Sequence, residues 1–324
     1  MLTAGGFGQA PAKEQHPGVT LFQQRKYSDA VRALEIAVKT PEFRSDAETW
    51  NYLGLSYLAT NELKKGRKAF EKSVSLSPSN SIFLSNLSYA YLMARQSSKA
   101  DAAAEKAIRI DPKLPGPYEV RSTVNLWKSK LDAAEADADK FIQLDPGNPQ
   151  AYVLKSDILI AKLGERFEAD KSVKQGLAFL RDASQALKTG SSKCKDSPLC
   201  EQINRRAEAI AAFYQHFSRD PTPPTPPSSV PVAEPGVTPI KVIRQRPARY
   251  TDRARSENIQ GAIRVVLLMG ASGKVEHILF LSRLGYGLDE EVMKAVNDIK
   301  FEPKLKDGKP VSTVIVREYT FAIY

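Results

Sequence analysis

Only two cysteines and three histidines occur in the 324 residues of this chain. The histidines stand alone at positions 16, 216 and 277, so a zinc or iron site of ordinary ligand spacing cannot be assembled. Long apolar runs are missing as well. Val265–Met269 spans five residues, whereas a helix that crosses a bilayer needs about 18–20. The chain as given is therefore not expected to span a membrane. H-E-x-x-H, G-x-S-x-G, a Walker A loop and a dinucleotide fingerprint are all absent. Glu290 and Glu291 are adjacent on a helix and point apart, so they do not supply the paired carboxylates of a glycosidase cleft. These absences predict a protein that is not an enzyme and takes no metal and no cofactor.

What is present is proline and positive charge. There are 21 prolines, and 47 Lys+Arg against 37 Asp+Glu give a net charge of +10. That excess fits an anionic partner such as nucleic acid, a lipid surface or a cell-wall polymer, without choosing among them. At roughly 100–200 residues per domain the length suggests two domains. Residues 1–16 form an N-terminal segment beginning M-L-T-A-G-G-F-G-Q-A. Gly8 and Ala10 fit the −3/−1 positions of an export-signal cleavage site, although a basic start is missing. The segment reads either as the tail of such a signal or as a Gly-rich terminus.

An internal period of 34 residues follows. Trp50, Leu53, Gly54, Tyr57, Gly66, Phe70 and Pro78 set a first frame. Leu84, Leu87, Ser88, Tyr91, Ala100, Ala104, Ala107 and Pro112 repeat it, then Tyr118, Ser122, Ala134, Ala138, Phe141 and Pro146. A fourth frame begins at Tyr152, and a half-matching unit (Gly18, Leu21, Ala30, Leu34, Ala37) precedes the first. Each frame closes on Pro, which cannot continue one helix and suits the first turn of the next. The pattern resembles the tetratricopeptide repeat, W-x2-L-G-x2-Y…A-x3-F…P, over roughly residues 17–187. It departs at Arg121, where Leu is usual. The resemblance implies an all-α solenoid whose concave face binds extended peptides. By position that face includes Asn51, Asn86, Tyr89, Asn125 and Lys128. The three asparagines suit amide clamping of a peptide backbone; ordinary polar surface is the alternative.

Helix is expected to continue over Ala169–Lys188, with a loop at Thr189–Ser197. A capping helix at Leu199–Phe217 would bury Ile203, Ala207, Ile210, Phe213 and Phe217 and complete a repeat domain of residues 17–218. Cys194 and Cys200 flank its start as C-x5-C. They fit a small structural disulfide, which needs an oxidising compartment, or two free thiols. Residues 219–239 read as a Pro-rich linker, with eight prolines between Pro221 and Pro239. Such a segment cannot form a core. It suits a semi-rigid spacer better than an SH3-type ligand.

Residues 240–324 follow a different pattern. A basic segment, Lys241–Arg255, contains a short helix at Tyr250–Glu257 and faces either anionic envelope material or solvent. With Tyr250 as its one aromatic, it does not suit nucleic-acid stacking. Strands at Ala262–Met269 and Val275–Ser282 form a hairpin. A helix at Leu288–Ile299 places Leu288, Val292, Ala295, Val296 and Ile299 on one stripe. A last strand runs over Val311–Ile323. This α-β-β-α-β order, with G-x-I-x-V-x-L, a Gly-Lys turn, L-D-x-x-V, F-x-P and D-G-K-P-V, resembles the TonB C-terminal domain, a small α+β fold. Tyr250-Thr251 stands where that family has Tyr-Pro. Two helices on one sheet face leave the last strand as an edge able to accept an extended peptide. The resemblance implies the short peptide segment of outer-membrane TonB-dependent transporters, on an edge made of Ser312, Thr313, Val314, Ile315, Val316, Arg317, Glu318 and Tyr319.

The expected protein is thus a multidomain, periplasmic or envelope adaptor with protein partners on both domains, linked to transport. The alternative is a periplasmic scaffold for envelope assembly whose C-terminal domain pairs with a second copy to give a homodimer. Contact with peptidoglycan or a membrane surface stays open, and nucleic acid is not an expected partner.

Overall fold

The structure, a computed structural model, describes residues 16–169, 173–195, 197–220, 224 and 235–323. The export-signal reading, and most of the Pro-rich linker, lie outside the described residues. By contacts the chain forms two compact units, Met1–Leu144 and Asp145–Tyr324.

The first unit is a run of helix pairs: α1 (Pro17–Gln23) with α2 (Tyr27–Ala37), α3 (Ala47–Ala59) with α4 (Leu63–Leu76), α5 (Ser81–Met93) with α6 (Ser97–Ile110), and α7 (Gly116–Trp127) with α8 (Leu131–Leu144). The 34-residue frame explains the packing. Its small positions Gly54, Ser88 and Ser122 are all buried. A Cβ built on Gly54 would meet the Phe70 ring at 2.6 Å, so this position lets α3 and α4 approach closely. Phe70, Ala104 and Ala138, one per frame, are completely buried. The turns inside each pair share a device that the sequence pattern does not announce. Arg25, Asn61, Arg95 and Ser129 all have φ between 54° and 64°. The next residue's N–H reaches back to the carbonyl five positions earlier, as in Lys26 to Leu21 and Glu62 to Tyr57 (2.9 and 2.7 Å). This is the Schellman closure, here made with non-glycine residues.

The second unit begins with three long helices, α9 (Pro149–Ala169), α10 (Val173–Ser192) and α11 (Pro198–Arg219). The expected loop over Thr189–Ser197 is shorter than predicted, because α10 continues to Ser192. Gly190 acts there as a contact point rather than a breaker: its Cβ would lie 2.9 Å from Tyr152 Cβ. Ile203, Ala207, Ile210, Phe213 and Phe217 form the buried face of α11, as the 3.6-residue period predicts.

After the Pro-rich segment come β1 (Val237–Thr238), β2 (Lys241–Arg244), α12 (Asp252–Ser256), β3 (Gly261–Met269), β4 (Val275–Phe280), α13 (Leu288–Asn297), β5 (Lys300–Glu302), β6 (Lys304–Lys306), β7 (Lys309–Val311) and β8 (Thr313–Phe321). Val237 and Thr238, assigned to the linker by composition, instead pair with β6, and β2 pairs with β5. The expected last strand is divided into β7 and β8. The main sheet has the order β4-β3-β8, antiparallel throughout.

Both faces of this sheet are covered. Ile263, Val265, Leu267 and Met269 of β3 join Ala254 of α12 and Leu288, Val292, Ala295 and Val296 of α13 in one core. On the opposite face Val266, Leu268, Leu279 and Val314 pack with Leu180 and Leu187 of α10 and Phe213 and Phe217 of α11. This corrects the expectation of a sheet covered on one side only. It also accounts for Val265–Met269: a strand buried on both faces reads as a continuous apolar run instead of an alternating one. For the same reason the boundary between compact units falls before α9 and not in the Pro-rich segment.

Candidate functional site

β8 ends the sheet, and its backbone direction can be worked out from β3. The N–H of Arg264 donates to Ser282 Oγ at 2.9 Å, and its carbonyl accepts from Leu281 N–H at 2.9 Å. Both groups of Arg264 therefore point toward the β4 side. Backbone groups alternate along an antiparallel strand, so Ile263, Val265 and Leu267 address β8, where they stand opposite Tyr319, Arg317 and Ile315. The N–H and C=O groups of Val314, Val316 and Glu318 are left on the outer edge. Among the described residues β8 pairs with β3 alone.

The side chains sort by face. Ile315 and Tyr319 enter the core under α12 and α13. Gln245 Nε2 donates to the Tyr319 hydroxyl at 3.3 Å, and burial raises that phenol's pKa. Val314 and Val316 pack toward α10 and α11. Glu318 is 3.6 Å from Arg264. Arg317 is half-buried, and Nη1 donates to the Val316 carbonyl at 3.0 Å. Burial lowers its pKa. Ser312 precedes the strand, and its Oγ accepts from the Ala271 N–H at 3.2 Å. Thr251, at the place of the expected proline, caps α12 by accepting from Ala254 N–H (3.1 Å) and donates to the Tyr286 carbonyl (2.7 Å).

The residues assigned by position to the repeat face are engaged within the fold. Asn51, expected to face solvent, is 3% exposed, and its Oδ1 accepts from Asn86 Nδ2 at 2.9 Å. The half-buried Asn86 amide thus satisfies the buried Asn51 side chain. Tyr89 is half-buried, and burial raises its pKa, with Glu119 adding to the effect. Lys128 Nζ lies 3.0 Å from Asp101. Asn125 Nδ2 is 3.4 Å from Asp137.

Asp137 escapes the sequence reading, and it explains Arg121. Arg121 Nε and Nη2 donate to the two Asp137 oxygens at 2.9 and 2.7 Å. Asp137 is 6% exposed. The departure from Leu at position 121 is thus matched by a carboxylate on the paired helix, and the signal is a charged residue on the otherwise apolar side of α8. The hydrogen bonds to Asp137 raise the Arg121 pKa further.

Cys194 and Cys200 form a disulfide with Cα atoms 5.7 Å apart, joining the end of α10 to the start of α11. Ser197 sits between the sulfurs, 3.6 and 3.2 Å from them. Among the described residues no cluster of three metal-ligating side chains occurs, and no helix is long and apolar enough to cross a membrane. A small cleft is lined by Asp157, Arg206, Ile278 and Phe280, and Asp157 and Arg206 pair with each other there.

Comparison with known families gives two matches. Residues 18–81 match the tetratricopeptide repeat, and residues 246–323 match the Gram-negative bacterial TonB protein C-terminal region. Both are non-catalytic protein-interaction families. No curated protein matches the chain. Among solved structures, MamA is 19% identical, with a TM-score of 0.43, over 56% of this chain and 96% of its own. A thermophilic tetratricopeptide protein of Thermus thermophilus, TTC0263, is 18% identical, with a TM-score of 0.45, over 60% and 96%. YrrB, a tetratricopeptide protein with an unusual peptide-binding site, is 14% identical, with a TM-score of 0.41, over 58% and 88%.

Proposed function

We propose that this chain, which carries tetratricopeptide repeats and a TonB C-terminal domain, is a non-enzymatic adaptor of the bacterial envelope. Its C-terminal domain takes an extended peptide as a new strand along β8, and its repeats hold a second protein. The observation that carries this reading is the outer edge of β8, where the backbone groups of Val314, Val316 and Glu318 face away from β3. Strand addition there gains main-chain hydrogen bonds without opening the existing ladder. By its family resemblance the domain would engage the short peptide segments of outer-membrane TonB-dependent transporters, which links the adaptor to transport in the periplasm. The disulfide supports an oxidising compartment.

The test uses the whole chain, because residues 240–324 alone would uncover Val266, Leu268, Leu279 and Val314. Tagged full-length protein, incubated with solubilised outer membranes, is expected to retain TonB-dependent transporters. Val316→Pro removes an outward N–H while sparing the ladder to β3, and is expected to release them. Retention by Val316→Pro at the wild-type level would count against the edge. Concentration-dependent self-association abolished by the same variant would indicate a second copy as the added strand.

A further inference from the structure

Among the described residues, Arg317 is the charged side chain of β8 that has no carboxylate partner. Among the described residues its neighbours on the strand are already committed: Glu318 faces Arg264 on the opposite side of the sheet, and Tyr319 receives Gln245. The Arg317 guanidinium is half-buried and folds back onto the Val316 carbonyl at 3.0 Å. That carbonyl is one of the outward acceptors, so the side chain caps an edge group that an added strand would otherwise use. A guanidinium presents five donors in a planar fork, and one backbone carbonyl uses few of them. Holding such a cation partly out of water without a counter-charge is unfavourable, in keeping with the lowered pKa.

We infer that Arg317 selects the strand added at β8 by pairing with a carboxylate on it. The inference rests on the strand-addition reading above. An incoming backbone N–H replaces the guanidinium on the Val316 carbonyl, and the freed fork turns to the residue directly opposite on the new strand. Side chains at such positions share one face with Cβ atoms about 4.5–5.5 Å apart, within reach of a bidentate Arg–carboxylate pair. Because this is one position on one face, it sets the register of the added strand as well as its charge. The carboxylate can belong to an Asp or Glu side chain or to a chain terminus.

The experiment measures fluorescence anisotropy of labelled synthetic peptides on the full-length protein. Each peptide alternates Val and Thr; the first two are blocked at both ends and the third at its N-terminus alone. One carries a central Glu, a second carries Gln there, and a third carries Gln with a free C-terminal carboxylate at that position. The Glu peptide is expected to bind roughly ten-fold more tightly than the Gln peptide, as one charge-assisted pair allows. Added salt narrows the gap. Arg317→Ala is expected to erase the gap while leaving the weaker affinity of the Gln peptide, and Val316→Pro to abolish binding of both. Tighter binding of the third peptide than of the blocked Gln peptide assigns the carboxylate to a terminus. Equal binding of Glu and Gln peptides, still lost in Val316→Pro, overturns the role of Arg317 and leaves the edge intact. Binding of no peptide overturns the edge reading and this inference together.

Discussion

Replacing Arg121 by the leucine that the repeat pattern favours should destabilise the first unit, although it restores the consensus. The bidentate pair between Arg121 and Asp137 (2.9 and 2.7 Å) joins α7 to α8. Their side chains are 28% and 9% exposed, so Asp137 is the member that cannot reach water. Each charge-assisted bond contributes about 1.5–3 kcal/mol, and desolvation of the two charges takes part of that back. Arg121→Leu strands a buried carboxylate and should cost about 2.5 kcal/mol. Asp137→Ala leaves a cation on a long stem that can swing to solvent, and should cost about 1.5 kcal/mol. The double variant has no orphaned charge and should lie within about 1 kcal/mol of the parent. The predicted coupling is then about 3 kcal/mol. Urea unfolding followed by tryptophan fluorescence reads this unit selectively, since both tryptophans, Trp50 and Trp127, lie within it. Single-variant losses that add to within about 0.5 kcal/mol in the double variant would refute the compensation.

Two further outcomes probe the second unit. Leu268 is 5% exposed against the helices, so Leu268→Ala should lower stability by about 2–5 kcal/mol in thermal or denaturant unfolding. An effect within about 0.5 kcal/mol would mean that this face of the sheet is open. His216 on α11 has its pKa lowered by burial, against the pull of Asp220 and Glu276 and with the push of Lys304. A base with a depressed folded pKa is stabilising while neutral. Its contribution is complete above the unfolded value of about 6.5 and is lost as pH falls toward the folded value. The midpoint of thermal unfolding should therefore fall between about pH 7 and 5 more steeply in the parent than in His216→Gln. Parallel slopes would remove His216 from the account.

The parts of the fold set by local periodicity are legible in the sequence. The 34-residue frame locates the helix pairs, the 3.6-residue stripe finds all five buried residues of α11, and turn chemistry finds the β3–β4 hairpin. What escapes is decided by partners distant in the chain. In sequence Val265–Met269 stands out only as too short to span a membrane, whereas its lack of alternation reports burial on two faces, and only α10 and α11 reveal the second cover. Asn51 reads as surface because its partner Asn86 stands in the next repeat. Asp137 looks like an ordinary charge on a helix until Arg121 is seen opposite it. At the site, the edge position of the last strand can be anticipated from the α-β-β-α-β order. Which of its backbone groups point outward cannot, because that depends on the hydrogen bonds Arg264 makes on the far side of β3.

The outer edge of β8 is tested most directly by amide hydrogen exchange, resolved residue by residue by NMR on the full-length protein. In the free protein the amides of Val314, Val316 and Glu318 should exchange fast, while those of Ile315, Arg317 and Tyr319, bonded to β3, are protected. Adding the Glu-bearing peptide at saturation should slow the first three and leave the other three unchanged. Protection of Val314, Val316 and Glu318 before any peptide is added, or their continued fast exchange at saturation, would contradict strand addition at this edge.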